Sequence, residues 1–265
     1  MIKVRSSGCS PLFTGRKGGL TDKQRDKLNG LKMKIKLTEK QAEERDELEK
    51  KAEMSDELSE GAKSYIEEMV DEMVYGYKTT ISSREMTKGT DVEHESIDVY
   101  NRLFFRSYHK LAEFDDYYEL KHGKNNLISV GHPDIVDADT MKVIDIKSPW
   151  SKKTMPKTVK KAEKKVKEAG YDWQVKHYLY MLTKMTGKKW TDGEVAFVLS
   201  NTPEELIPDN EADSLHYMDN LADELRVTIV KVELTDDDIS WMDSQLMKAE
   251  SYAKMYFNYL NNKNK

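Results

Sequence analysis

Asp134, Asp145 and Lys147 are the residues whose types and spacing suggest chemistry. Val143, Ile144 and Ile146 are β-branched and bounded by polar turn material, which predicts a short buried strand. Strand side chains alternate, so Asp145 and Lys147 face one way while Ile144 and Ile146 face the other. Asp134 opens a second apolar run, Ile135-Val136, after a Gly131-His132-Pro133 turn, and Asp137-Ala138-Asp139-Thr140 is polar enough to be a hairpin loop. Such a hairpin sets Asp134 near Asp145 and Lys147 on one face. Two carboxylates held close repel and raise one pKa unless a cation neutralises them. Magnesium suits the task, since it takes one or two carboxylates together with waters and substrate phosphate oxygens. A lysine beside them is placed to orient or polarise an attacking water. An isolated D-x-K is more often an ordinary cross-strand ion pair, so the weight falls on what surrounds it.

Three further stretches bear on it. Gly89-Thr90-Asp91-Val92-Glu93 opens a segment with Val92, Val99 and Leu103 at near-helical spacing. Downstream, the stretch from Tyr171 through Gln174 and Val175 to Met181 reads as an amphipathic helix, and Val195-Ala196-Phe197-Val198-Leu199 as a buried strand. In this order the G-x-x-x-E helix, the aspartate hairpin ending in D-x-K, the Q-V helix and the strand resemble the PD-(D/E)xK nuclease superfamily. More narrowly, the chain resembles the YqaJ-type viral recombinases, the group that includes the exonuclease of phage lambda. The resemblance covers about residues 86–205 and is looser toward both ends.

The resemblance implies an α/β (α+β) fold with a restriction-endonuclease-like core: a central mixed β-sheet flanked by helices. It also implies a metal site formed by Glu93, Asp134, Asp145 and the backbone carbonyl of Ile146. Lys147 and Gln174 complete the implied catalytic set. Asp145 stands where lambda-type enzymes usually carry glutamate, a departure that alters metal spacing without removing a ligand. Glu95 competes with Glu93, and one residue of helix turns a side chain by roughly 100°. His94 is a poor magnesium ligand because that ion prefers oxygen. The implied activity is magnesium-dependent phosphodiester hydrolysis, with one or two ions per site and manganese as a substitute. Digestion would run 5′ to 3′ on linear double-stranded DNA with a free end. The exposed 3′ strand would pass to a single-strand annealing recombinase, and family members form homotrimeric rings. Two alternatives stay open: an endonuclease or RecB-like single-strand nuclease of the same fold, and an inactive DNA-binding or assembly protein.

In the lambda-type enzymes the N-terminal segment holds the 5′ phosphate, and Arg5, Ser6, Ser7, Arg16 and Lys17 are chemically suited to that. A dense basic run follows the proposed metal strand: Lys152, Lys153, Lys157, Lys160, Lys161, Lys164, Lys165 and Lys167, opposed by Glu163. A charge run is usually a solvated face, but this position suits a grip on phosphate backbone. Trp150 lies where a base or ribose could stack. The net charge of −5 does not advertise a nucleic-acid binder, so local distribution carries the argument.

The remaining elements must position these groups. The chain of 265 residues can bury one substantial core, and we read it as a single nuclease domain with residues 20–58 as a helical arm or insertion. Thr21 with Gln24 and Thr38 with Gln41 resemble capping boxes, predicting two helix starts in that arm. Ser59 is expected to cap a helix to about Tyr77, and a helix from about Lys88 to Tyr108 presents Glu93. Residues 111–130 are expected as two strands or extended pieces leading to the hairpin. Thr202-Pro203-Glu204-Glu205 predicts a further helix, residues 226–234 a strand, and Thr235 with three aspartates a final helix reaching about Leu260. No run approaches the ~18 apolar residues of a membrane span. The first residues lack a signal-peptide core. Cys9 is the sole cysteine, so no disulfide or cysteine-ligated zinc or iron–sulfur site forms within one chain. These features lead us to expect a cytoplasmic protein of a bacterial host, phage or prophage encoded, with no membrane partner.

Overall fold

The computed structural model describes residues 1–14, 22–34, 36–53, 57–78, 82–110, 118–123 and 127–263. Strand β1 (Ile2–Arg5) runs into a 3-10 turn at Ser6–Gly8 and a short helix α1 (Ser10–Thr14). Helices α2 (Asp22–Lys32) and α3 (Glu39–Glu53) pack on each other through Leu28, Leu31 and Leu48. Thr38 and Gln41 form the expected reciprocal cap at the start of α3, each side chain bonding the other's backbone N–H. Thr21 lies outside the described residues, as do Arg16 and Lys17. Helix α4 (Glu60–Tyr75) is capped by Ser59 Oγ accepting from Ala62 N, and ends at Gly76 in the left-handed conformation.

The single helix expected over Lys88–Tyr108 is two helices, α5 (Arg84–Asp91) and α6 (Glu93–Phe104). Val92 breaks them at φ −100°, ψ 9°, closing α5 through its N–H and opening α6 through its carbonyl. Each half docks on its own: α5 by the buried Lys88, α6 by Ile97 and Tyr100. Strands β2 (Tyr118–His122), β3 (Leu127–Gly131), β4 (Ile135–Asp137) and β5 (Lys142–Lys147) follow, then α7 (Val159–Ala169) and α8 (Tyr171–Thr186). Strand β6 (Asp192–Val198), a short helix α9 (Asp223–Arg226), β7 (Val227–Glu233) and α10 (Asp236–Asn262) complete the chain. Where Thr202-Pro203 predicts a helix, only a 3-10 turn forms at Glu204–Leu206. Thr202 is otherwise engaged, its hydroxyl donating to Trp150 O and its N–H to His216 O.

The strands form two mixed sheets, β1-β3-β2 and β4-β5-β6-β7, rather than one. Pro133, with no N–H to continue a ladder, sits in the passage between β3 and β4. The predicted hairpin is present, with Ile135 opposite Ile144 and Asp137 opposite Lys142. Parallel strands β5 and β6 are joined by α7 and α8, the long crossover such pairing requires. One face of this sheet buries Val143, Val195 and Phe197 in a core that includes Val175 and Leu179 of α8. The other buries Ile144 and Ile146 with Ile97 and Tyr100 of α6. The alternation read from the sequence therefore sends Asp145 and Lys147 toward α8. Gly193 lets the helix approach β6, since a Cβ there would lie 2.4 Å from Val175.

Candidate active site

Asp134, just before β4, accepts a 2.6 Å hydrogen bond at Oδ2 from the backbone N–H of Ile146. The hairpin thus fixes it beside Asp145, whose side chain is almost fully buried on β5. Gln174, in the first turn of α8, holds the next layer together. Its Nε2 donates to Asp145 Oδ1 at 3.0 Å and to the Tyr178 hydroxyl at 3.0 Å, while its Oε1 accepts from Lys147 Nζ at 3.2 Å. Lys147 Nζ lies 2.8 Å from Asp145 Oδ2 and 4.6 Å from the centroid of the Tyr171 ring. Tyr178 donates in turn to the carbonyl of His132 at 3.2 Å. Gly131 makes room for this, because a Cβ there would meet Ser6 Oγ and the Tyr178 ring at 2.5 and 2.7 Å.

Glu93, the first residue of α6, lines the same cavity, which has a volume of about 610 Å³. Its Oε2 pairs with Lys110 at 2.9 Å, and its buried Oε1 has no hydrogen-bond partner. Glu95, two residues and so roughly 200° further round the helix, is turned away and held 3.0 Å from Arg226, which leaves Glu93 to line the cavity. Burial and the neighbouring Asp145 charge push the Asp134 carboxyl well above its ordinary value, with Lys147 opposing. Burial also raises Asp145, again against Lys147. Burial works against the Lys147 charge, but Asp145 and Asp134 outweigh it and hold the ammonium above its usual range.

The cavity is lined by the carboxylates of Glu93, Asp134 and Asp145 and by Ile146, whose backbone carbonyl is a further oxygen donor. Asp145 Oδ2 has no partner in hydrogen-bonding geometry; the Lys147 ammonium is its close contact. Among the described residues, no three His, Cys, Asp or Glu side chains gather tightly enough to hold an ion by themselves. The chemistry of this set would suit magnesium, which takes one or two carboxylates and leaves its other positions to water and phosphate.

The proposed DNA contacts divide. Arg5, Ser6, Ser7 and Trp150 line the cavity, whereas Lys152 and Lys153 do not. Arg5 is drawn onto Glu72 at 2.6 Å. Trp150 donates from its indole to Glu211 at 3.1 Å and packs edge-on against His216. Lys152 donates to the carbonyl of Ser214. Two further residues, Tyr178 and Lys88, support the site from outside the set that the sequence points to. Tyr178 was legible in principle, lying four residues after Gln174 on the same helix face. Lys88 was not: it is fully buried and donates to the carbonyls of Pro149 and Trp150 at 2.8 and 2.9 Å, fixing the turn after Lys147. Burial lowers its pKa to about 8, with Glu95 opposing.

No family model matches the sequence, and no curated protein matches it. Among solved structures, the chain is similar to a phage-related exonuclease from Haemophilus somnus 129PT. The two are 20% identical over 90% of this chain and 95% of that one, with a TM-score of 0.64. It is also similar to an alkaline exonuclease from Laribacter hongkongensis, 14% identical over 78% of this chain and 86% of that one, with a TM-score of 0.49. The same exonuclease in complex with dAMP gives 15% identity over the same shares and a TM-score of 0.48. The first of these likenesses shows the fold: the chain has the mixed α/β architecture of that phage-related exonuclease.

Proposed function

We propose that this chain is a magnesium-dependent deoxyribonuclease of the YqaJ type that digests linear double-stranded DNA from the 5′ end. The observation that carries the reading is the meeting of Asp134, Asp145, Lys147 and Gln174 through direct contacts on one wall of a cavity that Glu93 also lines. Asp134 and Asp145 would hold the metal, with Glu93 and the Ile146 carbonyl completing the protein's share. Magnesium bound there would supply charge for the scissile phosphate and make a water acidic enough to attack at neutral pH. Lys147 would orient the attacking water and meet charge developing on the phosphate. Gln174 keeps the lysine and Asp145 in register by bonding both. A digested end leaves a 3′ strand suited to an annealing recombinase, in a bacterial cytoplasm, and a homotrimeric ring would keep the enzyme on its substrate.

Incubation with magnesium and 5′-phosphorylated linear duplex, beside a closed circle of the same sequence, tests this. Acid-soluble nucleotides from the linear DNA alone are expected. Cleavage of the circle would convert the reading to an endonuclease, and loss of neither would overturn it.

A further inference from the structure

The lysine run after β5 is not one surface. Lys164 pairs with Glu168 and Lys167 with Asp172, while Lys157, Lys160 and Lys161 point to solvent. Lys165 differs from all of them. It is half-buried, lines the active-site cavity, and has no carboxylate partner among the described residues. Its Nζ donates to Thr154 O at 3.2 Å and lies 5.5 Å from the centroid of the Phe197 ring. Phe197 on β6 is the register neighbour of Lys147 on β5, and its ring touches Tyr171, on which Lys147 rests, at 6.4 Å between centroids. Two ammonium groups thus sit side by side on two adjoining aromatic rings. One is committed to Asp145; the other is bound to a neutral carbonyl alone.

We infer that Lys165 is a substrate-phosphate ligand, gripping a backbone phosphate of the strand next to the one cleaved, an inference that rests on the nuclease reading above. A carbonyl and a ring face fix the position of an ammonium but leave its charge uncompensated, and a phosphodiester supplies the missing anion. Burial holds the Lys165 pKa below its ordinary value, as expected of a cation awaiting its counter-charge.

The test is equilibrium binding of 5′-phosphorylated linear duplex to the full chain in EDTA, across a salt series, for wild type, Lys165→Met and Lys165→Arg. Lys165→Met keeps the stem on Phe197 and removes the charge. It is expected to weaken binding about tenfold at low salt. It should also reduce the slope of log K against log salt by about one. Lys165→Arg should restore both. Wild-type affinity and slope in Lys165→Met would overturn the assignment, since a merely structural role for the lysine leaves the salt slope unmoved. Thermal melts check folding, and if Lys165→Met melts early, Lys165→Glu gives the same reading by charge reversal. If wild type cleaves DNA while Lys165→Met matches it, Lys165 alone falls; if wild type neither binds nor cleaves, the nuclease reading falls with it.

Discussion

Burying Asp134 beside Asp145 works against the charge both must carry to hold a cation, and Lys147 relieves that strain only in part. A carboxyl held above its ordinary value stabilises the fold at low pH, and this contribution is lost as pH rises through the folded-state value. Asp134→Asn keeps an oxygen for the Ile146 N–H and removes the charge. It should therefore raise the metal-free melting temperature by about 2 °C at neutral pH, with the gain shrinking toward pH 4. Magnesium at about ten times its Kd should stabilise wild type by about 1.4 kcal/mol, a rise of about 3–5 °C, and leave Asp134→Asn unmoved. Calorimetric scans at several pH values decide both points. Lys147→Ala should lower the cleavage rate by about 10²–10³-fold while DNA binding persists, as read by gel shift beside a timed digest. Cleavage at the original rate would remove Lys147 from the mechanism. Asp145 and Lys147 were legible because strand alternation puts them on one face, and Asp134 because a hairpin returns it beside them. Lys110 was not, because its pairing with Glu93 depends on where α6 ends, and neither composition nor period records that.

Between elements, a buried polar chain ties the start of the molecule to α8. Ser6 Oγ donates to Val130 O, so the contact of 2.9 Å with His177 Nδ1 takes its hydrogen from the imidazole. His177 Nε2 then accepts from Ser129 Oγ at 2.7 Å, and Ser129 accepts from His122 Nε2 at 2.7 Å. Burial lowers His177 to about 3, with the nearby His122 adding to it. His122 falls to about 4 for the same first reason, against Asp243 and Glu250. A depressed histidine stabilises the fold above its unfolded value near 6.5, and that stability is lost as pH falls toward the folded values. The unfolding free energy from urea titrations should drop between pH 6.5 and 4 by on the order of 2 kcal/mol, and less so in a His122→Gln, His177→Gln double variant. At the end of α6, Phe105 is 95% exposed with φ 52°, a conformation glycine adopts freely. Phe105→Gly should add about 1 kcal/mol by chemical denaturation. A loss instead would mean that the ring packs on something the folded chain needs. Helix starts were readable where a cap stood alone in sequence: Thr38, Ser59 and the Thr235–Asp238 box. Thr202 misled because its hydroxyl and N–H serve the Trp150 turn and His216, contacts set by tertiary position.

At the scale of the whole molecule, a net charge of −5 would, on the nuclease reading, set the problem of holding a polyanion. On that reading Lys147 and Lys165, both lining the cavity, would supply local positive charge without changing the total, so DNA affinity should fall with salt. No helix among the described residues is long and apolar enough to cross a membrane. The fold class was legible from the order of helix, hairpin, helix and strand. The division into two sheets was not, because it depends on how the chain turns at Pro133. Partners far apart in sequence hold the first sheet together and tie it to α8. Ile2–Arg5 lies along Leu127–Val130, and Ser6 is fixed by His177. A ribosome must therefore release most of the polypeptide before the cavity exists at all. On the nuclease reading, the nascent enzyme is harmless to the genome beside it until its own synthesis is well advanced.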